Sequence, residues 1–392
     1  MALLPPYTLY LSGVRNDVTD AVVRAWEGPG ECPLGLLVQP LRREYLGAVD
    51  YDFIGIDNGL FTDVGKARFD PNAYLGLVRE GVARWGDRLL FATAPDVPFD
   101  WPGTLAKSLP FVPRIRATGA PVAIVAQNGA TPANVPWDQL DAIFLGGGKG
   151  PDTGGKEWKE TPAAAAVSRE AIRRRKWVHM GRVNSDHRMR VAQQFGCGSA
   201  DGTYLLHATA MAVASYALRR LVLATAHSWA RSDAEVARVL AAVDDLRNDP
   251  SRRRRALAAL SSTPVARARS LREVVSALDL PLLPGEDYWT HGRRRRDALD
   301  EAAGRAVDKL AEIEGRPVGD VAEEVRSAGE FTAVDDILRW MDTLRIEWQE
   351  HNARGIPKEY AETVEWLGGG RLRNNPAGNA RRRSAPRRGG RP

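Results

Sequence analysis

The feature that most constrains the fold is a regular alternation of short apolar runs with helical patterns, from the start of the chain to about residue 230. The segments between the runs carry apolar residues every three or four positions, which is typical of amphipathic helices. The runs themselves are short, apolar and rich in β-prone residues, as buried strands are. We predict strands at 8–11, 34–38, 53–56, 89–92, 122–126, 142–145, 177–180 and, shorter, around 199–203.

Eight strand–helix units favour an α/β fold of the closed parallel (β/α)₈ type, the TIM barrel, over an open doubly wound sheet. An open sheet usually carries a glycine-rich phosphate loop after its first strand. Here the first run is followed by Ser12-Gly13-Val14-Arg15, which lacks that pattern. Helix-start signals support the alternation, with Thr161 before Pro162 at one helix and Ser185 or Asp186 at the next. We predict the barrel over residues 1–230.

Two further segments of different composition follow the predicted barrel. Ser232-Asp233-Ala234-Glu235 matches a capping box and predicts the start of a helical region over 231–370. Residues 371–392 are rich in Arg, Asn, Gly and Pro, and such a composition cannot bury a core. We predict a disordered tail there.

The positive charge is concentrated in that tail. The chain has 55 basic and 49 acidic residues, and eight of the arginines follow residue 370, which leaves 47 basic residues in the rest. A basic tail favours weak, salt-sensitive attraction to nucleic-acid phosphates, although a solubilising end without a partner has the same composition. The basic runs 252–255 and 293–296 either follow a phosphate backbone or form solvated, ion-paired faces.

Other patterns exclude several protein classes. The first residues lack the basic and apolar regions of a signal peptide. The apolar segment 208–229 is interrupted by Arg219-Arg220, which favours a buried helix over a membrane span. Cys32 and Cys197 alone supply neither a disulfide framework nor a cysteine zinc site. We expect a cytoplasmic protein with no membrane partner, no metal and no cofactor.

The residues that follow the predicted strands indicate a functional site, because the strand ends of such a barrel converge on one face. Asp57 and Asp201 are isolated carboxylates, each followed closely by glycine. Two carboxylates of this kind can act at a sugar carbon, one attacking C1′ and the other moving protons. The other strand ends are also polar or rich in glycine: Pro95-Asp96, Gln127-Asn128-Gly129, Gly146-Gly147-Gly148 and Arg182-Val183-Asn184-Ser185.

In order and spacing these elements resemble the tRNA-guanine transglycosylase superfamily over residues 50–205, and above all its phage and bacterial branch that inserts 7-deazaguanines into DNA. Asp57-Asn58-Gly59-Leu60-Phe61-Thr62 matches three of six positions of the family's acid/base motif, Asp-Ser-Gly-Gly-Phe-Gln. Val125 to Gly129 resembles its Val-Gln-Gly element, and Gly146-Gly147 its glycine pair. The segment from Met180-Gly181 through Gly196 to Asp201 resembles the one that ends in the nucleophile.

The resemblance implies a role for each matching residue. Asp201 is implied as the nucleophile and Asp57 as the general acid/base. Asp96 would accept hydrogen bonds from N1–H and the 2-amino group of guanine, with Asp100 as a possible substitute or a helix cap. The implied donors to O6 are Gln127 and a backbone N–H near Gly147. The remaining candidates for substrate binding are Asn58, Gly146, Arg182 and Asn184, of which the last two either hold a phosphate or brace their loop.

One departure from the family bears on the substrate. The tRNA enzymes hold zinc with three cysteines and a histidine after the nucleophile, and this chain has no cysteine beyond Cys197. That departure and the segment 179–185, in which His179 is interpreted as a core histidine, favour DNA over tRNA. We predict exchange of guanine in DNA for a 7-deazaguanine, such as the 7-cyano form, through a covalent glycosyl-aspartate. Base exchange on tRNA and a non-catalytic nucleic-acid-binding barrel are the alternatives, and the oligomeric state stays open.

Overall fold

The barrel consists of eight parallel strands that pair in chain order and close on themselves. The computed structural model describes residues 8–13, 15–27, 32–41, 50–229, 232–245, 283 and 288–353. In these ranges the strands are β1 Leu9–Ser12, β2 Leu34–Val38, β3 Ile54–Ile56, β4 Leu89–Thr93, β5 Val122–Ala126, β6 Ala142–Leu145, β7 Trp177–Met180 and β8 Ser199–Gly202. β8 pairs with β1, placing Asp201 opposite Leu11. The predicted (β/α)₈ barrel is confirmed, and each strand end lies within one residue of its predicted position.

The helices begin where the capping signals predict. Thr161 accepts a hydrogen bond from the Ala164 N–H at the start of one helix, and Pro162 occupies its first turn. Of the two candidate caps for the next helix, Ser185 is the one whose side chain accepts, from the Arg188 N–H. The helices of the described ranges are α1 Asp17–Ala25, α2 Asp63–Arg68, α3 Pro71–Trp85, α4 Trp101–Ser108, α5 Val112–Arg116, α6 Pro162–Arg173, α7 Asp186–Gln194, α8 Tyr204–Trp229, α9 Asp233–Asp245, α10 Tyr288–Glu314 and α11 Val318–Ala353.

The interior of the barrel is filled by side chains. Alternate strand residues point inward, so each strand contributes to the same packed core. Because this core is closed, the polar residues at the strand ends remain as the place where a ligand can bind. The core includes Leu9, Leu11, Leu37, Phe53, Phe91, Val125, Phe144 and Trp177.

Gly35 of β2 lies where the barrel leaves no space for a side chain. A Cβ there would lie 2.4 Å from the Phe53 carbonyl oxygen and 2.5 Å from Cδ2 of Leu11. We expect Gly35→Ala to lower the free energy of unfolding by about 1–3 kcal/mol, because β3 would have to move. The measurement is urea denaturation followed by circular dichroism.

Gly76 of α3 provides the matched control, since a Cβ there meets nothing within 4 Å. Gly76→Ala should raise the free energy of unfolding by about 0.5–1 kcal/mol through helix propensity. A Gly35→Ala protein as stable as the wild type would contradict the packing described for β2.

The chain divides into two compact units, Met1–Thr203 with Trp340–Pro392 and Tyr204–Arg339. The second unit begins with α8, which the sequence analysis placed with the barrel through residue 230. In the structure Ala217 and Leu221 of α8 pack with Ala306 and Leu310 of α10. This shared apolar cluster is what makes α8 part of the helical unit.

Two of the predicted basic segments, 252–255 and 371–392, lie outside the described residues. Of the run 293–296, Arg296 lies 4.0 Å, nitrogen to oxygen, from the carboxylate of Asp297 in α10, as in the ion-paired alternative. Along the described part of the chain, no helix combines the length and apolarity that a bilayer crossing requires.

Candidate active site at the carboxyl end of the barrel

The structure brings the predicted site residues together at the carboxyl-terminal rim of the barrel. Parallel strands of one closed barrel all end on the same side, so residues distant in sequence become neighbours. Asp57 directly follows β3, Asp96 lies three residues beyond β4, and Asp201 lies within β8. Gln127 directly follows β5, and Gly146 directly follows β6.

Asp57 is a half-buried carboxylate in contact with two donors. Its Oδ2 accepts from the Gly59 N–H at 3.3 Å and from Nε2 of Gln39 at 3.2 Å. Burial raises the pKa of Asp57 to about 7, and the charges of Asp96 and Asp201 add to the effect. Asp96 and Asp201 are therefore close enough to act on Asp57, which can gain or lose a proton near neutral pH.

Asp96 is held by two amide side chains. Its Oδ1 accepts from Nδ2 of Asn58 at 3.0 Å, and its Oδ2 accepts from Nε2 of Gln127 at 2.6 Å. The side chain is buried, with 6% of the residue exposed, and burial raises the pKa of Asp96 against the opposing effect of these two donors. A carboxylate has about four lone-pair positions, so each oxygen can accept one more hydrogen bond.

The Asn58 side chain makes its hydrogen bonds to other residues of the protein. Besides its bond to Asp96, Nδ2 donates to the Ala94 carbonyl at 3.0 Å, and Oδ1 accepts from the Leu60 N–H at 2.8 Å. Both amide hydrogens are thus engaged. The direct contact with substrate expected of Asn58 is replaced by a contact that orients Asp96.

Gln127 and the glycine pair are likewise engaged with each other. Oε1 of Gln127 accepts from the Phe99 N–H at 2.9 Å and from the Gly147 N–H at 2.7 Å. The Gly146 N–H donates to the Ala126 carbonyl at 2.9 Å. The Gly147 N–H was expected to donate to O6 of a base. In this structure it donates to Oε1 of Gln127 instead.

Asp201 is held by a histidine. His179 of β7 lies with Nε2 2.9 Å from Oδ1 of Asp201, and the Val183 N–H donates to the Asp201 carbonyl at 2.5 Å. His179 is fully buried, and 9% of Asp201 is exposed. The interpretation of His179 as only a core histidine is incomplete, because it contacts the predicted nucleophile. The available signal was strand alternation, which turns both residues toward the barrel interior.

An arginine and two aromatic rings lie together at the rim. The Arg182 guanidinium donates to the Gly147 carbonyl and lies 4.6 Å from the centroid of the Phe61 ring and 5.7 Å from that of Phe99. The two rings meet edge to face, with centroids 6.0 Å apart. Arg182 and Phe99 have φ angles of +55° and +68°, a conformation that non-glycine residues seldom adopt.

Lys159 supports the segment that carries Arg182. Its Nζ is fully buried, donates to the Gly181 carbonyl at 2.6 Å and lies 2.9 Å from Oε2 of Glu157. Burial lowers the pKa of Lys159 to about 7, and the positive charge of Arg182 adds to this while Glu157 opposes it. Sequence reasoning missed this group because a lysine in a short helical turn carries no local signal of burial.

Hydrogen bonds bear on two alternatives that the sequence left open. Oδ1 of Asn184 accepts from the Thr203 N–H at 2.7 Å, so Asn184 braces the chain beside Asp201. Asp100 caps α4, with Oδ1 accepting from the Gly103 N–H at 3.1 Å. Asp96, and not Asp100, therefore faces the amides of the site.

The arrangement offers three carboxyl groups with different environments. One titrates near neutrality, one is fixed by two amides, and one is fixed by a histidine. Such a set suits proton transfer, recognition of paired N–H donors and nucleophilic attack. In the residues that the structure describes, no group of three or more His, Cys, Asp or Glu side chains is placed to hold a metal ion.

Comparisons with known proteins add little to this picture. No protein-family model matches the chain, and no curated protein matches it. Among solved structures, the chain is similar to one described as the tryptophan synthase α2β2 complex of the hyperthermophile Pyrococcus furiosus, with 13% identity and a TM-score of 0.29. That match covers 53% of this chain and 90% of the other.

Proposed function

We propose that this protein exchanges guanine in DNA for a 7-deazaguanine base, such as 7-cyano-7-deazaguanine. The observation that carries the proposal is the meeting of Asp57, Asp96 and Asp201 at one rim, where burial and then the charges of the other two raise the pKa of Asp57. The resemblance of residues 50–205 to guanine transglycosylases agrees with this set of groups. The reaction is a double displacement at C1′ of a nucleotide.

In the first displacement, a carboxylate oxygen of Asp201 attacks C1′. The C1′–Oδ2 bond forms as the C1′–N9 bond breaks, and the bonding electrons leave with guanine. The result is a glycosyl ester that holds the polymer on the enzyme. The second displacement reverses this geometry, with the ring nitrogen of the incoming base in place of water in a retaining glycosidase.

Asp57 is proposed to move the proton. A group with a pKa of about 7 is partly protonated and partly ionised at neutral pH. It can therefore donate a proton to departing guanine and take the ring proton of the incoming base. Burial beside two other carboxylates is what places its pKa in this range.

Asp96 is proposed to select the base. Its two oxygens are oriented by Asn58 and Gln127 and can each accept one further hydrogen bond. The N1–H and 2-amino group of guanine, or of a 7-deazaguanine, present two adjacent donors. An adenine-like edge lacks this pair and would leave the remaining acceptor position of each buried Asp96 oxygen unfilled, at a cost in binding free energy.

The rim also suits a nucleotide taken out of its stack. An enzyme acting at C1′ inside a duplex must extrude the target nucleotide. The Phe61 and Phe99 rings with the Arg182 guanidinium form a partly apolar patch, and a base can stack against one face of it. DNA is preferred to tRNA because the chain lacks the cysteines of the tRNA enzymes' zinc site.

The test is incorporation of labelled guanine by the purified full-length protein into duplex DNA and, separately, into unmodified tRNA. We expect label in DNA, and its displacement when 7-cyano-7-deazaguanine is added. Label in tRNA alone would overturn the assignment of DNA as the substrate and support base exchange on tRNA. Binding of either polymer without any exchange would support the non-catalytic barrel and overturn the proposed reaction.

A further inference from the structure

Four buried side chains form a continuous hydrogen-bonded chain beneath the rim. Nε1 of Trp177 donates to Oγ of Ser199 at 2.8 Å, and the same Oγ lies 2.8 Å from Nδ1 of His179. Nε2 of His179 then lies 2.9 Å from Oδ1 of Asp201. His179 and Ser199 are fully buried, so neither exchanges these partners for water.

The direction of each hydrogen bond follows from what each group is able to donate. The Asp201 carboxylate only accepts when it is ionised, so Nε2 of His179 carries a hydrogen and donates it to Oδ1. In the tautomer with its one hydrogen on Nε2, Nδ1 is an acceptor and takes the hydroxyl hydrogen of Ser199. The Ser199 oxygen in turn accepts from the indole N–H of Trp177, which can only donate.

Aromatic rings fix the orientation of the imidazole. The Phe144 and Phe91 rings lie with their centroids 4.4 Å and 4.9 Å from that of His179. The ring therefore cannot turn without displacing core side chains. Apolar surroundings also strengthen the hydrogen bonds of the chain, because water does not compete for them.

We propose that His179 is the positioning residue for Asp201, an inference that rests on the proposed base exchange. Its Nε2–H holds Oδ1, so that Oδ2 is the oxygen directed at C1′. In the glycosyl ester Oδ1 becomes the carbonyl oxygen and keeps this donor. When the incoming base attacks C1′, the C1′–Oδ2 bond breaks and its electron pair returns to the carboxylate. The Nε2–H stabilises the negative charge that develops on Oδ1.

This donor acts most strongly when the ester breaks down, since the carboxylate is then the leaving group. Loss of a single preorganised donor to a developing negative oxygen costs about 10²–10³-fold in rate in other enzymes. We therefore expect His179→Leu to lower kcat by about 100-fold and to lower KM for DNA with it, because kcat/KM for DNA reports only the formation of the ester. The ester should persist, so a larger fraction of the enzyme should be trapped as a covalent DNA adduct on denaturing gels.

Two further variants separate positioning from packing. His179→Gln keeps an N–H donor that can reach Oδ1, and it should recover most of the lost rate. Ser199→Ala removes the hydroxyl that donates to Nδ1, and it should release the fixed tautomer. The ¹⁵N NMR spectrum of the histidine-labelled full-length protein reports that tautomer directly, and thermal melts check that each variant is folded.

The expected results are an Nε2-protonated neutral ring in the wild type, adduct accumulation in His179→Leu, and recovery in His179→Gln. Equal kcat in folded His179→Leu and wild type, or no recovery in folded His179→Gln, would overturn the inference. So would a wild-type spectrum with Nδ1 protonated. A wild type that exchanges no base would refute the proposed function instead, and the spectra would still decide which nitrogen of His179 carries the hydrogen.

Discussion

Asp201→Ala should reduce base exchange by about 10⁴-fold or more, while the affinity for DNA stays within a few-fold of the wild-type value. The reason is that His179 holds no other carboxylate, so no other side chain can take the place of Asp201 in forming the ester. Polymer affinity, in contrast, comes mainly from phosphate contacts, which Asp201 does not make. Exchange is measured with labelled guanine, and binding with a fluorescent duplex.

Removal of the carboxylate also leaves the His179 N–H without an acceptor, which costs about 1–3 kcal/mol in stability. Asp201→Asn is therefore the companion variant, because its amide oxygen can still accept from Nε2. Both variants should lose exchange, whereas Asp201→Asn should melt closer to the wild type. Full exchange by either folded variant would remove the nucleophile from the proposed mechanism.

Asp57→Asn should lower exchange by about 10²–10⁴-fold, the range that a general acid/base contributes. In the wild type the step that needs ionised Asp57 should slow as pH falls below neutrality, because burial raises the pKa of this carboxyl group, to about 7 in the free protein. The acid limb of the profile of kcat/KM for the incoming base reports this group. Asp57→Asn should lack that limb. A profile of unchanged shape in the variant would contradict the assignment.

The same substitution should stabilise the fold at neutral and alkaline pH. The folded-state pKa of Asp57 is raised from 3.8 to about 7, so between these values the folded protein holds a proton that the unfolded chain has released. The free energy of unfolding therefore falls as pH rises through this window and stays reduced above it. An asparagine side chain at this position has no charge to desolvate, so the variant avoids that loss.

We expect Asp57→Asn to be more stable than the wild type by about 1–3 kcal/mol at pH 8, with the difference vanishing near pH 4. Urea denaturation at both values measures it. Asp87→Asn, the same substitution at an exposed aspartate, controls for the change of one charge. An equal gain at pH 4 and pH 8 would show that desolvation of Asp57 is not its cause.

Much of the fold could be predicted because its signals are local. A strand of four or five apolar residues, such as 122–126 or 142–145, can be predicted to be buried from its own composition. Caps such as Thr161 act on an N–H three residues away. Alternation of these elements then leaves few topologies, and a barrel places Asp57, Asp96 and Asp201 on one rim.

The partners within the site could not be predicted in the same way. Asn58 and Asp96 are 38 residues apart, Asp96 and Gln127 are 31 apart, and His179 and Asp201 are 22 apart. Sequence indicated that each of these residues faces the site or the core. It offered no means of distinguishing a side chain that meets a ligand from one that holds its neighbour, and Asn58 proved to hold Asp96.

Periodicity and composition report whether a segment is buried, so they were sufficient to predict the barrel, its strands and the carboxylates at its carboxyl-terminal rim. Three contacts became visible only in the folded chain: His179 holds Asp201, Gln127 accepts from the Gly147 N–H, and Arg182 lies over Phe61. These contacts depend on the register with which neighbouring strands pair and on closure of the barrel. Both are set by the packing of the whole interior, to which every strand contributes.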